Sequence, residues 1–146
     1  MGRPTLVVWF PSQTAFLGMV RDLTKKMAES AGFDLPTCER LALAVDEAAT
    51  NVVQHAYEGD PGQRVEMRYE DRGAELRVHL VDTGARVECS TLPAVDVQRY
   101  AAERRTGGLG VHLMQKIMDS VSFERSPGCN VCCLVKRKPE GHGESR

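Results

Sequence analysis

Two residues of one helical segment have the chemistry to hold a divalent cation and to accept a proton. Glu47 and Asn51 stand four positions apart in Glu47-Ala-Ala-Thr-Asn51. At about 100° per residue, their side chains lie about 40° apart on one helix face. Mg²⁺ prefers oxygen ligands and keeps several waters, so the Asn51 oxygen and ligand phosphates suit it. Glu47 could then accept a proton from an attacking hydroxyl. The alternative for such a pair is a solvated helix face.

A glycine-rich turn about fifty residues later suits a phosphate. Gly107, Gly108 and Gly110 surround Leu109 and open an apolar helical pattern. Glycines allow close approach of a ligand, and a helix N-terminus offers free N–H groups. The segment is not a P-loop, because no Gly-Lys-Ser/Thr follows. It is not a convincing dinucleotide fingerprint either, because a long loop precedes it. The alternative is a flexible loop followed by a helix.

A third segment, Asp82-Thr83-Gly84, ends a predicted strand between the other two. A carboxylate at that place could accept the amine proton of adenine in an otherwise apolar pocket. The alternative is an ordinary turn. Together the three segments indicate an ATP site.

The bulk properties fit one globular domain, with 146 residues, 42% hydrophobic and 27% charged residues. The net charge of −1 predicts no whole-protein attraction to nucleic acid or a membrane. Since no apolar run approaches the ~20 residues of a membrane span and no signal peptide is recognisable, we expect a cytoplasmic protein. The five cysteines are irregularly spaced, and Cys129-x-x-Cys132 lacks a second pair to complete a zinc set.

Hydrophobic periodicity predicts the elements that must position these residues. We expect strands over 5–10, 64–69, 75–82, 121–125 and 131–136, and helices over 13–31, 38–57 and 110–120. Strands joined by hairpins argue against a doubly wound fold. The expected fold is α+β, a two-layer sandwich of a mixed, mostly antiparallel sheet with helices on one face. Residues 1–138 form the single domain, and 139–146 a disordered polar tail.

The order and spacing of the three segments resemble the ATP-binding (Bergerat) fold of gyrase, Hsp90, sensor histidine kinases and MutL. Glu47-Ala-Ala-Thr-Asn51 resembles its N-box, Asp82-Thr83-Gly84 its first glycine box, and Gly107-Gly108-Leu109-Gly110 its second. Residues 85–106 would be the ATP lid. Within this superfamily, residues 41–57, 108–114 and 118–121 are most similar to bacterial anti-sigma factor serine/threonine kinases of the SpoIIAB and RsbW type. The resemblance covers roughly residues 5 to 138.

The resemblance implies a kinase that uses ATP and Mg²⁺. It would phosphorylate a STAS-domain anti-sigma factor antagonist, hold a sigma factor inactive, and form a homodimer through its sheet edge. Carried over residue by residue, Glu47 would be the general base, Asn51 would hold Mg²⁺, and Asp82 would bind the adenine amine. The remaining nucleotide contacts would be Gly84, Arg105, Gly107, Gly108, Leu109 and Gly110.

Two departures from the family pattern concern adenine. Ala85-Arg86-Val87 stands where another glycine is usual, and Cys133 is taken to match a threonine near the adenine aspartate. They leave open a binding module that holds its partner without phosphorylating it. A stand-alone histidine-kinase catalytic domain is a third hypothesis, disfavoured because no helical hairpin with a phosphorylatable histidine precedes the fold.

Overall fold

A five-stranded sheet and three α-helices make up the part of the chain that the computed structural model describes, residues 5–56, 62–83, 108–126 and 128–139. In chain order the elements are β1 (Thr5–Pro11), α1 (Leu17–Ala31), α2 (Leu35–Asn51), β2 (Arg64–Asp71), β3 (Glu75–Asp82), α3 (Gly108–Ile117), β4 (Ser120–Ser126) and β5 (Cys129–Arg137). A 3₁₀ turn (Thr14–Phe16) precedes α1, and a π-helical turn (Val52–Ala56) follows α2. The predicted α+β class is confirmed.

The strands lie in the order β1-β2-β3-β5-β4, and all four pairings are antiparallel. We expected a mixed, mostly antiparallel sheet, and the described sheet has no parallel pairing. The reason is the position of the last strand. The chain crosses from β3 through α3 to β4, which runs parallel to β3, and β5 then returns between them.

One face of the sheet carries the core, and the other is open. Alternating residues of β2 and β3 point to the helices, because successive strand side chains face opposite ways. The inward residues are Val65, Met67 and Tyr69 of β2 and Leu76, Val78 and Leu80 of β3, all buried as their alternation predicts. Charged pairs two residues apart occupy the open face, among them Glu66–Arg68 and Glu70–Arg72.

Helix α1 differs from its prediction in both start and buried stripe. It begins at Leu17 after the 3₁₀ turn, four residues later than expected. It ends at Ala31 as expected, and Gly32, with a φ of 103°, caps it. Apolar residues at three- and four-residue spacing predict Met19 as a core residue, but its side chain is 64% exposed. The buried stripe is Val20, Thr24, Ala28 and Ala31.

Helix α2 begins three residues earlier than expected, at Leu35. The Asp34 side chain accepts a hydrogen bond from the Thr37 N–H at 2.9 Å, and Pro36 lies in the first turn, so both residues favour a helix start. The α-helical pattern stops at Asn51, where the π-helical turn takes over. Residues 57–61, which include part of the predicted helix and turn, lie outside the described residues.

The two tight hairpins are at the predicted places. Gly73 (φ 85°) joins β2 to β3 and Gly128 (φ 87°) joins β4 to β5, both in the left-handed region that favours glycine. Helix α3 begins at Gly108, two residues before its expected start, and ends at Ile117. The predicted lid over 85–106 and most of the polar tail, residues 140–146, fall outside the described residues.

Candidate functional site

Helix α2 is the central helix of its layer, and it carries two of the predicted site residues. It packs against α1 on one side and α3 on the other, and it touches β3. Apolar periodicity predicts a core stripe of Leu41, Ala44, Val45, Ala48 and Val52, and all five residues are buried. Glu47 and Asn51 follow this stripe at the end of the helix. Packing on several sides holds their backbone in one place.

Asn51 is a buried amide with an unmet hydrogen bond. Its side chain is only 5% exposed, and its Nδ2 atom has no hydrogen-bond partner within the described ranges. A buried polar group without a partner costs free energy, so native proteins rarely retain one without a reason. An amide kept in this state fits a residue that meets a bound ligand or cation.

Glu47 is half-buried one turn before Asn51. Burial, and then the negative charge of Asp46, raise the pKa of the Glu47 carboxyl above its ordinary value. A raised pKa makes a carboxylate a stronger base at neutral pH. The electrostatics therefore suit the predicted role in proton transfer.

Asp46 is itself held from the neighbouring helix. Its Oδ2 atom lies 3.3 Å from Nη1 of Arg21 in α1. Its Oδ1 atom is buried and has no hydrogen-bond partner in the described part of the chain. This ion pair joins α1 to α2 next to Glu47.

Asp82 ends β3 on the face that the helices cover, and it is 6% exposed. In the register its Cα partner on β5 is Asn130, and the Asn130 Nδ2 atom donates a hydrogen bond to Asp82 Oδ1 at 2.9 Å. The expectation that Cys133 stands near Asp82 is therefore wrong. Cys133 pairs with His79 on the open face, because three positions along a strand reverse the side-chain direction.

The predicted phosphate segment opens a helix, as expected. Gly108 is the first residue of α3, and Leu109 and Gly110 belong to its first turn. Buried Val111 and Met114 anchor this helix in the core, and α3 packs against α2. Its first N–H groups are of the kind that bind anions. Gly84, Arg105 and Gly107 lie outside the described residues.

The described residues contain no group of three or more His, Cys, Asp or Glu side chains that could hold a metal ion. A Mg²⁺ ion here would depend on Asn51 and on the phosphates of the nucleotide, which fits a cation that keeps most of its waters. Cys38, Cys129, Cys132 and Cys133 are free thiols. Among the helices that the structure describes, none is long and apolar enough to cross a membrane.

The sequence alone did not reveal three residues of this region: Asn130, Asp46 and Arg21. Asn130 is recognisable as the partner of Asp82 only when the register between β3 and β5 is known. Local periodicity does not predict that register. Asp46 adjoins Glu47, so its charge could have been anticipated. Arg21 required knowledge of how α1 packs on α2.

Comparisons with known proteins agree with this architecture. Residues 10–136 match the model of the histidine kinase-like ATPase domain. The serine-protein kinase RsbW of Bacillus subtilis is 33% identical over 129 residues, covering 83% of this chain and 78% of that protein. RsbW of Bacillus pumilus is 32% identical over 130 residues, with the same coverage.

A solved structure shares the fold. The RsbU and RsbW domains of a Mycobacterium tuberculosis protein superpose with a TM-score of 0.66 at 15% identity, over 92% of this chain. This chain spans 32% of that larger one. The matched residues contain α2, the end of β3 and the start of α3. This chain belongs to the histidine kinase-like ATPase family and, within it, to the relatives of the RsbW serine-protein kinases.

Proposed function

We propose that this protein is an ATP-dependent serine/threonine protein kinase that acts as an anti-sigma factor. It transfers phosphate to a STAS-domain anti-sigma factor antagonist and sequesters a sigma factor. The observation that carries the proposal is the end of α2, where Glu47, with its raised pKa, lies one turn before the buried amide of Asn51, whose Nδ2 atom has no hydrogen-bond partner among the described residues. The relationship to the serine-protein kinase RsbW supports a protein serine as the phosphate acceptor.

The reaction requires few groups from the protein. The serine or threonine oxygen of the partner attacks the γ-phosphorus of ATP, its proton passes to the Glu47 carboxylate, and the bond to the β-phosphate oxygen breaks to release ADP. A Mg²⁺ ion held by Asn51 and the phosphates would neutralise charge on the phosphate oxygens. Asp82 orients the base through its amine. Gly84, Arg105, Gly107, Gly108, Leu109 and Gly110 are the proposed remaining contacts.

The proposed setting is cytoplasmic, with two protein partners and neither direct nucleic-acid binding nor membrane attachment. A net charge of −1 provides no general attraction to polyanions. Recognition of the sigma factor and of the antagonist would therefore depend on local surfaces.

The second candidate is a binding module that holds its partner without phosphorylating it. Two departures from the family pattern motivated it, and the structure weakens one of them. It relied partly on Cys133 as a poor neighbour for Asp82. The neighbour is instead Asn130, a strong hydrogen-bond donor. The other ground, Ala85-Arg86-Val87, lies outside the described residues.

Thermal unfolding with Mg·ATP tests the nucleotide site. Ligand at ~100 times its dissociation constant adds about 2.7 kcal/mol, which raises the Tm of a domain this size by roughly 5–10 °C. We expect this shift in wild type and its loss in Asn51→Ala. Gln115→Ala, which removes an exposed amide from α3, is the control and should retain the shift. No shift in wild type would contradict the ATP site.

Phosphate transfer to a STAS-domain antagonist tests the reaction. We expect Glu47→Gln to bind Mg·ATP and to lose most transfer, whereas Glu39→Gln, an exposed carboxylate of the same helix, transfers normally. Acid-stable phosphate on the partner identifies serine or threonine and excludes histidine. ATP binding without transfer by wild type would favour the partner-holding module.

A further inference from the structure

The C-terminal end of α3 is tied to β5 by a lysine. The Lys136 ammonium donates a hydrogen bond to the backbone carbonyl of Ile117, the last residue of α3, at 2.8 Å. The last carbonyls of a helix have no partner within the helix and form its negative dipole end, so a cation suits them. We infer that Lys136 is a positioning residue that holds the opposite end of α3, with Gly108 and Gly110, in place for the phosphates of ATP. The inference rests on the proposed ATP site.

Lys136 occupies a position where an apolar residue would be ordinary. It follows Cys132 and Leu134 on the face of β5 that the helices cover, and both of those residues are buried in the core. In the register it pairs with Leu76 of β3, another inward residue. A charged group on such a face is costly unless it is hydrogen-bonded. The bond to Ile117 meets that requirement and gives the lysine side chain a defined direction.

Two hydrogen bonds beside Lys136 strengthen the same connection. The Asp119 N–H donates to the Val135 carbonyl at 2.9 Å, and the Arg137 N–H donates to Asp119 Oδ2 at 2.6 Å. Residues 135–137 of β5 therefore hold both the last residue of α3 and the turn that follows it. Because β5 lies between β3 and β4, the anchor belongs to a strand that is paired on both edges.

Apolar packing alone does not fix where α3 lies along its own axis. Its buried residues Val111, Met114 and Ile117 contact the core, but apolar contact is not directional. A hydrogen bond is directional, so the polar anchor at the C-terminal end restrains the axial position. The helix has 10 residues and spans about 15 Å, so Lys136 acts on the proposed phosphate contacts through the helix. A displacement of about 1 Å at a binding group is enough for a large loss of function.

The test is calorimetric titration of Mg·ATP and of adenosine, which lacks the phosphates. Lys136→Met removes the charge and keeps an unbranched side chain, and we expect it to bind Mg·ATP about tenfold more weakly than wild type. Its adenosine affinity should stay at the wild-type value, because the proposed base contact, Asp82, belongs to β3. Lys136→Arg should regain most of the Mg·ATP affinity. The control, Lys116→Met, removes an exposed lysine from the last turn of the same helix and should bind both ligands as wild type does.

The outcomes separate this inference from the proposed function. Wild type that binds neither ligand overturns the ATP site and the inference with it. Wild-type Mg·ATP affinity in Lys136→Met overturns the inference alone. Equal losses of both ligands indicate a merely structural role, and an equal Mg·ATP loss in Lys116→Met indicates a general effect of charge, so each also overturns it. Melting of the ligand-free proteins checks folding, and Lys136→Gln takes the place of Lys136→Met if that variant does not fold.

Discussion

At the scale of single residues, burial is the main influence on Glu47, the proposed base. Burial, and then the charge of Asp46, raise the pKa of the Glu47 carboxyl, and Asp46 in turn pairs with Arg21 of α1. In the proposed transfer, only the Glu47 carboxyl changes its protonation. The arrangement has a consequence for stability as well as for rate, because a pKa shift on folding is a free energy.

We predict that raising the pH from 4 to 7 lowers the free energy of unfolding less in Glu47→Gln than in wild type. A raised folded pKa means that the folded state favours the protonated carboxyl. The associated stability is therefore present below the ordinary value of 4.5 and is lost as the pH rises through the raised pKa. Glutamine cannot ionise, so the variant should lose less stability over this window. Urea unfolding at each pH measures it.

Glu39→Gln is the control for that experiment, because it removes an exposed carboxylate from the same helix. It should follow the wild-type pH dependence. Identical slopes for wild type and Glu47→Gln would show that the Glu47 pKa is not raised.

At the scale of elements, a hydrogen-bonded pair joins α1 to the sheet. The Thr24 hydroxyl donates to the Val20 carbonyl at 2.8 Å and lies 2.7 Å from the Tyr69 hydroxyl. Since the hydrogen of Thr24 is already used, Tyr69 donates the second bond. Both residues are fully buried, and burial raises the pKa of Tyr69 to about 12. This pair explains how a threonine occupies the core stripe of α1.

We predict that Tyr69→Phe destabilises the fold by about 1 kcal/mol, because it removes one hydrogen bond with little change in shape. Thr24→Val should cost more, about 1–3 kcal/mol, since it leaves the phenolic hydroxyl buried without its acceptor. The double variant should cost less than the sum of the two. Urea unfolding of the four proteins measures the coupling, and strict additivity would contradict the pairing.

At the scale of the whole molecule, the two sheet edges differ. β1 has no charged residue, although charges are a common protection of edge strands, and its Trp9 is 56% exposed with the Arg64 guanidinium 5.7 Å from the ring centre. β4 at the other edge carries Glu124 and Arg125. An apolar edge of this kind favours association, which agrees with the homodimer that the sequence resemblance implies.

We predict a homodimer in solution that Trp9→Lys shifts toward monomer. A lysine on the β1 edge should oppose edge pairing and apolar contact. Ser122→Lys, an exposed position on β4, should leave the dimer intact. Sedimentation velocity across micromolar concentrations decides between the states, and a wild type that is monomeric throughout would rule out this interface.

Much of the fold was predictable because its patterns are local. The alternation from Glu75 to Asp82 predicted β3 with its observed ends. The turn-forming sequences Asp71-Arg72-Gly73 and Ser126-Pro127-Gly128 predict the two hairpins. The buried Thr24 and the partner of Asp82 were not predictable, because both depend on contacts between segments far apart in the chain. Asn51 was predicted as a ligand residue from its spacing. Its burial, and the lack of a partner for its Nδ2 atom among the described residues, are visible only in three dimensions.

The position of β5 between β3 and β4 has a consequence for biosynthesis. A nascent chain leaves the ribosome from its N-terminus, and domains form as their segments emerge. The two neighbours of β5, strands β3 and β4, are synthesised first. Their facing edges therefore stay unpaired until β5 emerges and pairs with both. Asn130 arrives with that strand, so Asp82 gains this hydrogen-bond partner only after β4 has been synthesised. Until then the facing edges of β3 and β4 are open to incorrect pairing with other strands.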